Sequence, residues 1–232
     1  MGIALRRKLR NWRDLVRPVR RTSYSQFAED LVAMDLLGWI RGAGAPGTYV
    51  DVGANHPKRY SNTYALYRQG WSGIAVDVDP ENCRQFAAAR PRDAVVCAAL
   101  GERPERRTLY RFEISEMNTL DADWAKRFIS EGQLLREEVP VDVRRLDAVL
   151  AEHGDRVAAG IDLLAIDAEG FDLQILRGMD FARYRPTLVL LEVPEGMELP
   201  EGGAAALLRD AGYVLRARLF NSAFWQDRRS AR

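Results

Sequence analysis

The chain has little sulfur, little imidazole and no surplus of either charge. Its 232 residues include two cysteines, Cys83 and Cys97, and two histidines, His56 and His153. Neither cysteine belongs to a CxxC pair and only His56 and His153 could join them, which argues against a structural zinc site, and two free thiols fit a reducing compartment. The 34 basic and 33 acidic residues leave a formal net charge of +1, which provides no polyelectrolyte field for recruiting nucleic acid. No apolar run approaches the roughly 20 residues that cross a bilayer, and no secretory-type apolar stretch opens the chain, so the expectation is a cytoplasmic protein. A G-x-G-x-x-G fingerprint after a strand is also missing, which argues against a seat for a dinucleotide pyrophosphate.

Charge balance breaks in one place. Residues 1–22 carry Arg6, Arg7, Lys8, Arg10, Arg13, Arg17, Arg20 and Arg21 against Asp14 alone. Ile3, Leu5, Leu9, Trp12, Leu15, Val16 and Val19 are spaced so that several can share a helix face lying on an anionic membrane, up to Pro18. The alternative is a solvated arm ahead of a single domain over residues 23–232. That length supports one sizeable core.

Within the domain, Ser25 is placed to cap a helix with Glu29 and Asp30 in its first turn and Phe27, Leu31, Met34, Leu37 and Ile40 on its buried face. Gly42 and Gly44 stop it. Short runs rich in β-branched residues then recur at Tyr49–Val52, Ile74–Val78, Ala94–Ala98, Ile161–Ile166 and Thr187–Val193, alternating with helical or turn-rich stretches. Consecutive apolar positions such as Leu163, Leu164, Ala165 and Ile166 imply strands covered on both faces, hence a doubly wound, mostly parallel α/β sheet. A polar insertion near 101–140, with strand-like pieces at Leu109–Phe112 and Val139–Val143, is a candidate substrate lid. Tyr213–Phe220 and Ala223–Gln226 predict an antiparallel hairpin at one sheet edge.

Ligands of such sheets gather outside the carboxyl ends of the strands. The first run ends in Asp51-Val52-Gly53-Ala54-Asn55-His56-Pro57, where Gly53 permits close approach of a ligand to the backbone. The second ends in Asp77-Val78-Asp79-Pro80. Asp77 is placed to accept the hydroxyls of a ribose, whereas Asp79 reads better as a turn or cap acid. A ligand with ribose and no phosphate suits this pair of strand ends. The fourth and fifth runs add Asp167, Glu169 and Glu192 to the same edge.

Read in order, Ser25-Gln26-Phe27-Ala28-Glu29-Asp30, Asp51-Val52-Gly53-Ala54-Asn55-His56-Pro57, Ser61-Asn62-Thr63, Gly70-Trp71-Ser72-Gly73-Ile74, Asn118-Thr119-Leu120, Ile166-Asp167-Ala168-Glu169-Gly170 and Tyr184-Arg185-Pro186 resemble the landmarks of the FkbM methyltransferase family. The resemblance implies a seven-stranded class I methyltransferase sheet, Rossmann-like, with a reversed edge strand, using S-adenosylmethionine to methylate a hydroxyl of a sugar, glycan precursor or related metabolite. Two departures stand out. Ala28 occupies a place where such proteins often have glycine, and the loop after the first strand is poorer in glycine than the general methyltransferase pattern.

The residues nominated for the cofactor are Gln26, Asp51, Gly53, Asn55, Asp77, Cys97, Ala98 and Asp167. Those nominated for the acceptor are Asn62, Asn118, Thr119 and Glu192. Transfer to a hydroxyl requires removal of its proton; His56 is one candidate base, Asp167 is the other or else binds acceptor hydroxyls, and Glu169 is placed to orient Asp167. A divalent metal on Asp167, Glu169, Glu192 or His56 is an option that the spacing does not demand. Two rivals remain at this stage. A nicotinamide oxidoreductase would share the fold but lacks its glycine fingerprint and a Tyr-x-x-x-Lys pair, and a catalytically inactive binding protein could keep the fold without the chemistry.

Overall fold

The computed structural model describes residues 21–42, 46–193 and 202–230. The basic arm expected at 1–22 therefore lies outside the described residues, except for Arg21 and Thr22. Among the described residues no helix is long and apolar enough to cross a membrane.

Seven strands form the main sheet. In chain order they are β1 (Thr48–Val52), β2 (Ser72–Asp77), β3 (Ala94–Cys97), β7 (Leu163–Ile166), β8 (Leu188–Glu192), β9 (Tyr213–Leu219) and β10 (Ser222–Asp227). Their spatial order is β3-β2-β1-β7-β8-β10-β9. The strand order reverses beside β1, which pairs in parallel with β2 on one side and β7 on the other. The expected hairpin forms the edge, but the reversed strand is not outermost. β10 runs antiparallel to both β8 and β9 and sits between them.

The apolar runs cover two faces, as their lack of alternation implied. Val50, Val52, Leu164, Ile166, Val189 and Leu191 pack with Leu146, Val149, Ile175 and Leu208 on one side. Tyr49, Leu163, Ala165, Leu188 and Leu190 pack with Ala33, Leu37, Leu66 and Trp71 on the other. Trp71 is thus a core residue of the crossover into β2. The helices on these faces include α1 (Glu29–Arg41), α2 (Tyr64–Arg68), α3 (Pro80–Ala89), α5 (Leu146–Glu152), α6 (Gly154–Val157), α7 (Asp172–Arg177) and α8 (Gly203–Asp210).

α1 begins later than its capping serine suggested. The residue before it is Ala28, in the left-handed conformation with φ 71° and no side-chain cap. Ser25 still contributes, because the Asp30 backbone N–H donates to its Oγ at 3.1 Å. The buried face uses Ala33, Leu37 and Ile40, with Leu31 and Met34 half-buried. A left-handed non-glycine residue costs about 1–2 kcal/mol, which gives a backbone reason for a glycine at this position.

The insertion folds as a second, three-stranded sheet of order β4-β6-β5, built from β4 (Ala99–Leu100), β5 (Glu105–Phe112) and β6 (Leu135–Arg144). Between β5 and β6 lie a 3₁₀ turn at Ser115–Met117 and α4 (Ala122–Ser130). Asp121 caps α4 by accepting from the N–H groups of Asp123 and Trp124. Phe112, Ala125 and Phe128 form its small core.

Candidate functional site

The ends of β1, β2 and β7 are tied together by main-chain bonds. Gly53 and Ala54 N–H donate to the Val76 carbonyl at 3.0 and 3.1 Å, and Asp167 N–H donates to the Val52 carbonyl at 3.0 Å. Gly53 has φ +74°, and a Cβ there would lie 1.7 Å from the Asp167 carbonyl oxygen. Approach of the β7 loop therefore demands glycine whether or not a ligand comes near. Asn55, at φ 45°, supplies the second left-handed residue of the loop, a conformation asparagine tolerates better than most residues. One glycine and one asparagine replace the expected glycine-rich turn.

Two cavities open at this edge. The first, of about 80 Å³, is lined by Asp77, Val78, Ala98, Leu100, Leu109 and Phe171 among others. The second, of about 400 Å³, is lined by Gln26, Glu29, Asp51, Tyr60, Asn62 and Ile114 among others. Gly53, Asn55, Glu116, Asp167 and Glu169 line both, so the two meet over the β1 and β7 loops. The insertion supplies Leu109, Ser115, Asn118 and Leu120 to the first cavity and Ile114, Met117 and Phe128 to the second.

Asp77 closes β2 and accepts from Asn55 N–H at 2.8 Å, Asp79 N–H at 2.8 Å and the Asn82 amide at 3.2 Å. Burial pushes it up to about 6 despite these donors. A carboxylate has about four acceptor directions, so one remains for a ligand hydroxyl. Asp79 caps α3, as its Asp-Pro context implied, and pairs with Arg111 of β5 at 2.7 Å. That pair anchors the insertion to the main sheet.

Carboxyl groups crowd the ends of β7 and β8. Asp167, Glu169 and Glu192 bring oxygens within 4.8 Å of one another. Asp167 opens onto the cleft, yet protein surrounds it on its other sides. Burial, then the charges of Glu192, Asp51 and Glu29, raise it well above the ordinary range. Burial and the neighbouring Glu192, Asp167 and Asp172 lift Glu169 to about 9, with Arg127 opposing. Burial and Asp172 raise Glu192 to about 7, while burial and Asp167 raise Asp172 to about 8. Burial and mutual repulsion raise the proton affinity of these acids, and a cation placed among them would lower it. Glu169 also has φ 46°, and its carbonyl accepts from the Thr119 hydroxyl at 2.8 Å. The strained backbone that aims this carboxyl is clamped in place.

The nominated residues divide. Asp51, Gly53, Asn55, Asp77, Ala98, Asp167 and Glu169 converge on the cavities, and Gln26 and Asn62 line the second one. Glu192 lines a separate recess beside it, with Phe27, Trp124 and Phe220. Four placements need correction. His56 lines neither cavity, and its Nδ1 accepts from Lys58 and Arg59 N–H at 3.0 and 2.9 Å, so it caps the turn after β1. Burial and Arg59 also depress its pKa. Thr119 is buried under the Glu169 carbonyl and touches neither cavity. Asn118 lines the first cavity instead of the second, with its carbonyl taken by Phe112 N–H and its amide by Asp79. Cys97 is exposed at the end of β3, and only its neighbour Ala98 reaches the first cavity.

Sequence reasoning missed Glu29, Glu116 and Tyr60. Glu29 reads as a first-turn helix acid, yet it is buried against the second cavity and accepts from Phe27 N–H at 2.8 Å. Glu116 sits in the polar insertion and pairs with Arg59, a contact that only the folded insertion creates. Tyr60, 54% exposed with φ 55°, stands at the mouth of the second cavity.

A family model described as the methyltransferase FkbM domain matches residues 51–215. No curated protein matches the chain. Among solved structures, a TehB-like SAM-dependent methyltransferase from Corynebacterium glutamicum is 11% identical, with 96% of this chain and 97% of that one covered and a TM-score of 0.43. The 1,6-didemethyltoxoflavin-N1-methyltransferase of Burkholderia thailandensis, solved with 1,6-didemethyltoxoflavin and S-adenosylhomocysteine bound, is 15% identical over 87% and 79% of the two chains, with a TM-score of 0.44.

Proposed function

The chain belongs to the FkbM methyltransferase family, enzymes that draw their methyl group from S-adenosylmethionine, and from that premise we propose that it methylates a hydroxyl of a sugar, glycan precursor or related small metabolite. The observation that carries this reading is the row of carboxylates at the ends of β1, β2 and β7. Asp51, Asp77, Asp167 and Glu169 face two cavities that meet at Gly53 and Asn55.

The residues present fit the cofactor. The first cavity combines the apolar walls of Leu100, Leu109, Leu120 and Phe171 with Asp77 at its polar end, the mixture usual in ligand sites. Those walls suit an adenine ring, and the open acceptor direction on Asp77 suits a ribose hydroxyl. Neither cavity presents the glycine-rich phosphate cradle of a dinucleotide site. Asp51, Asp167 and Glu169 surround the junction, where a cofactor bearing an ammonium and a sulfonium supplies the missing positive charge. His56 is not among the clustered acids, and no step of this reading passes through a metal.

When bound, S-adenosylmethionine offers an electrophilic methyl carbon to an in-line oxygen nucleophile. The protein's task is then alignment and proton removal. Asn62, Glu29 and Gln26 can hold the hydroxyls of an acceptor in the second cavity, with Tyr60 and Ile114 as its apolar rim. Glu169 reaches both cavities and is the group we assign to take the acceptor proton, with Asp167 orienting the hydroxyl. Its proton affinity, high in the free protein, falls once the cationic cofactor lies beside it, and this readies it as a base. The insertion lines both cavities and acts as the lid over the acceptor. Residues 1–20 are assigned no part in this reading.

Incubation with S-adenosylmethionine labelled at the methyl carbon, against a panel of neutral glycosides and polyols, tests the reading by carbon NMR of the products. O-methyl signals that vanish in Glu169→Gln are expected. Label found on nitrogen or carbon alone contradicts it.

A further inference from the structure

Behind the second cavity lies a fully buried cation that the reaction itself does not use. Arg90 is 0% exposed and follows α3. Its Nε pairs with Asp93 at 2.8 Å, and its Nη1 donates to the Ser61 hydroxyl at 3.3 Å and the Pro57 carbonyl at 3.4 Å. Its Nη2 donates to the Tyr49 hydroxyl at 2.6 Å and to the Thr63 hydroxyl at 2.9 Å. The rings of Tyr67 and Phe86 lie 4.9 and 4.7 Å from the guanidinium carbon.

Thr63 is also fully buried, and its hydroxyl donates to Asp51 Oδ2. A guanidinium only donates, whereas a hydroxyl has one proton and two lone pairs. With Arg90 occupying a lone pair of Thr63, the single Thr63 proton is left for Asp51. The hydroxyl cannot turn away without leaving a buried charge-assisted donor unpaired, which would cost about 1–3 kcal/mol or more. The chain Arg90, Thr63, Asp51 therefore has a fixed polarity. Each link favours the ionised form of Asp51 and holds one of its oxygens back, leaving the other for the cavity.

We propose that Thr63, oriented by Arg90, is a positioning residue that donates to Asp51 and keeps its other oxygen aimed at the cofactor's ammonium group. The inference rests on the reading of the junction as the cationic end of an S-adenosylmethionine site. It gives the Ser61-Asn62-Thr63 segment two separate duties. Asn62 and Ser61 line the acceptor cavity, while the Ser61 and Thr63 hydroxyls accept from Arg90, and the Ser61 hydroxyl also accepts from Tyr64 N–H at 3.1 Å. The buried cation offsets a specific set of opponents. Asp93, Asp167 and Glu29 are the acids around Asp51, with Asp93 already shared between Arg90 and the Tyr49 hydroxyl. Burial holds Asp51 above the ordinary carboxylate range, and Arg90 and then Thr63 limit that rise.

The test uses the full chain with Thr63→Val, which keeps the shape and removes the hydroxyl, and Thr63→Ser, which keeps the hydroxyl. S-adenosylhomocysteine, which retains the ammonium group, is the probe, titrated calorimetrically from pH 6 to 9. Loss of a hydrogen bond to a charged group predicts an affinity about 10-fold to 100-fold weaker for Thr63→Val near neutral pH. The ratio to wild type should narrow as the pH rises and Asp51 ionises unaided, and Thr63→Ser should bind like wild type. Carbon NMR of the Asp51 carboxyl, without any ligand, should show it titrating at higher pH in Thr63→Val. Equal affinity of Thr63→Val and wild type overturns the proposal, as does an unchanged Asp51 titration or a serine variant no better than the valine one. Failure of the wild type to bind the probe at any pH would instead remove the cofactor reading, and the carboxyl titration would still decide the Arg90–Thr63–Asp51 link.

Discussion

Glu192 should make the ligand-free protein less stable as the pH rises, and Glu192→Gln isolates its share. The side chain sits at the end of β8 among Asp167, Glu169 and Asp172 and titrates at about 7 instead of 4.5. The folded state thus binds this proton more tightly than the unfolded chain does. The resulting stabilisation is complete below pH 4.5 and disappears as the pH climbs through about 7. At about 1.4 kcal/mol per pH unit, that interval corresponds to about 3 kcal/mol, or roughly 6–12 °C in melting temperature for a chain of this length. Glu169 and Asp172, at about 9 and about 8, extend a loss of the same sign to higher pH. His56, whose pKa is lowered, works in the opposite sense, with stability lost as the pH falls through its folded value. The His56 contribution cancels when the variant is compared with wild type, whereas Glu169, which the Glu192 charge helps to raise, falls in the variant and adds to the difference with the same sign. Urea denaturation at constant ionic strength from pH 4.5 to 8 should show Glu192→Gln gaining on wild type by about 3 kcal/mol across the range. A difference that does not change with pH would refute the account of the carboxyl cluster. Saturating S-adenosylmethionine should flatten the wild-type dependence, because a bound cation removes the reason to keep the proton.

Three further outcomes follow from local geometry. Gly53→Ala should be destabilised by more than about 3 kcal/mol in urea, since its Cβ would fall 1.7 Å from the Asp167 carbonyl at a backbone of φ +74°. Ala28→Gly should gain about 1 kcal/mol, the relief of its left-handed strain less the extra entropy of an unfolded glycine, and a loss of stability would contradict the strain assigned to φ 71°. A thiol reagent should modify exposed Cys97 at once and buried Cys83, whose thiol burial pushes upward, only on unfolding.

Much of the fold was legible because the strands are apolar on both faces. Leu163 to Ile166 read as a covered parallel strand, and Leu163 and Leu164 do face opposite cores. The strand-end acids were legible for the same topological reason, since Asp77 and Asp167 must emerge at the carboxyl edge once their strands are parallel. What failed was the assignment of side chains whose partners are set by folding. His56 and Thr119 each have a hydroxyl or ring nitrogen equally suited to a ligand or to a turn, and here a main-chain group claims it. Glu116 gains its place only when β5 and β6 bring the 3₁₀ turn over the cavities. Nothing in the sequence around Arg90 marks it as the buried end of a link to Asp51.

Calorimetric titration of S-adenosylmethionine, S-adenosylhomocysteine and NAD into wild type and Asp77→Ala tests the central claim most directly. The account predicts binding of the first two, weakened about tenfold or more in the variant, and no binding of NAD. Binding of NAD, or adenosyl-ligand affinity indifferent to Asp77, would contradict it.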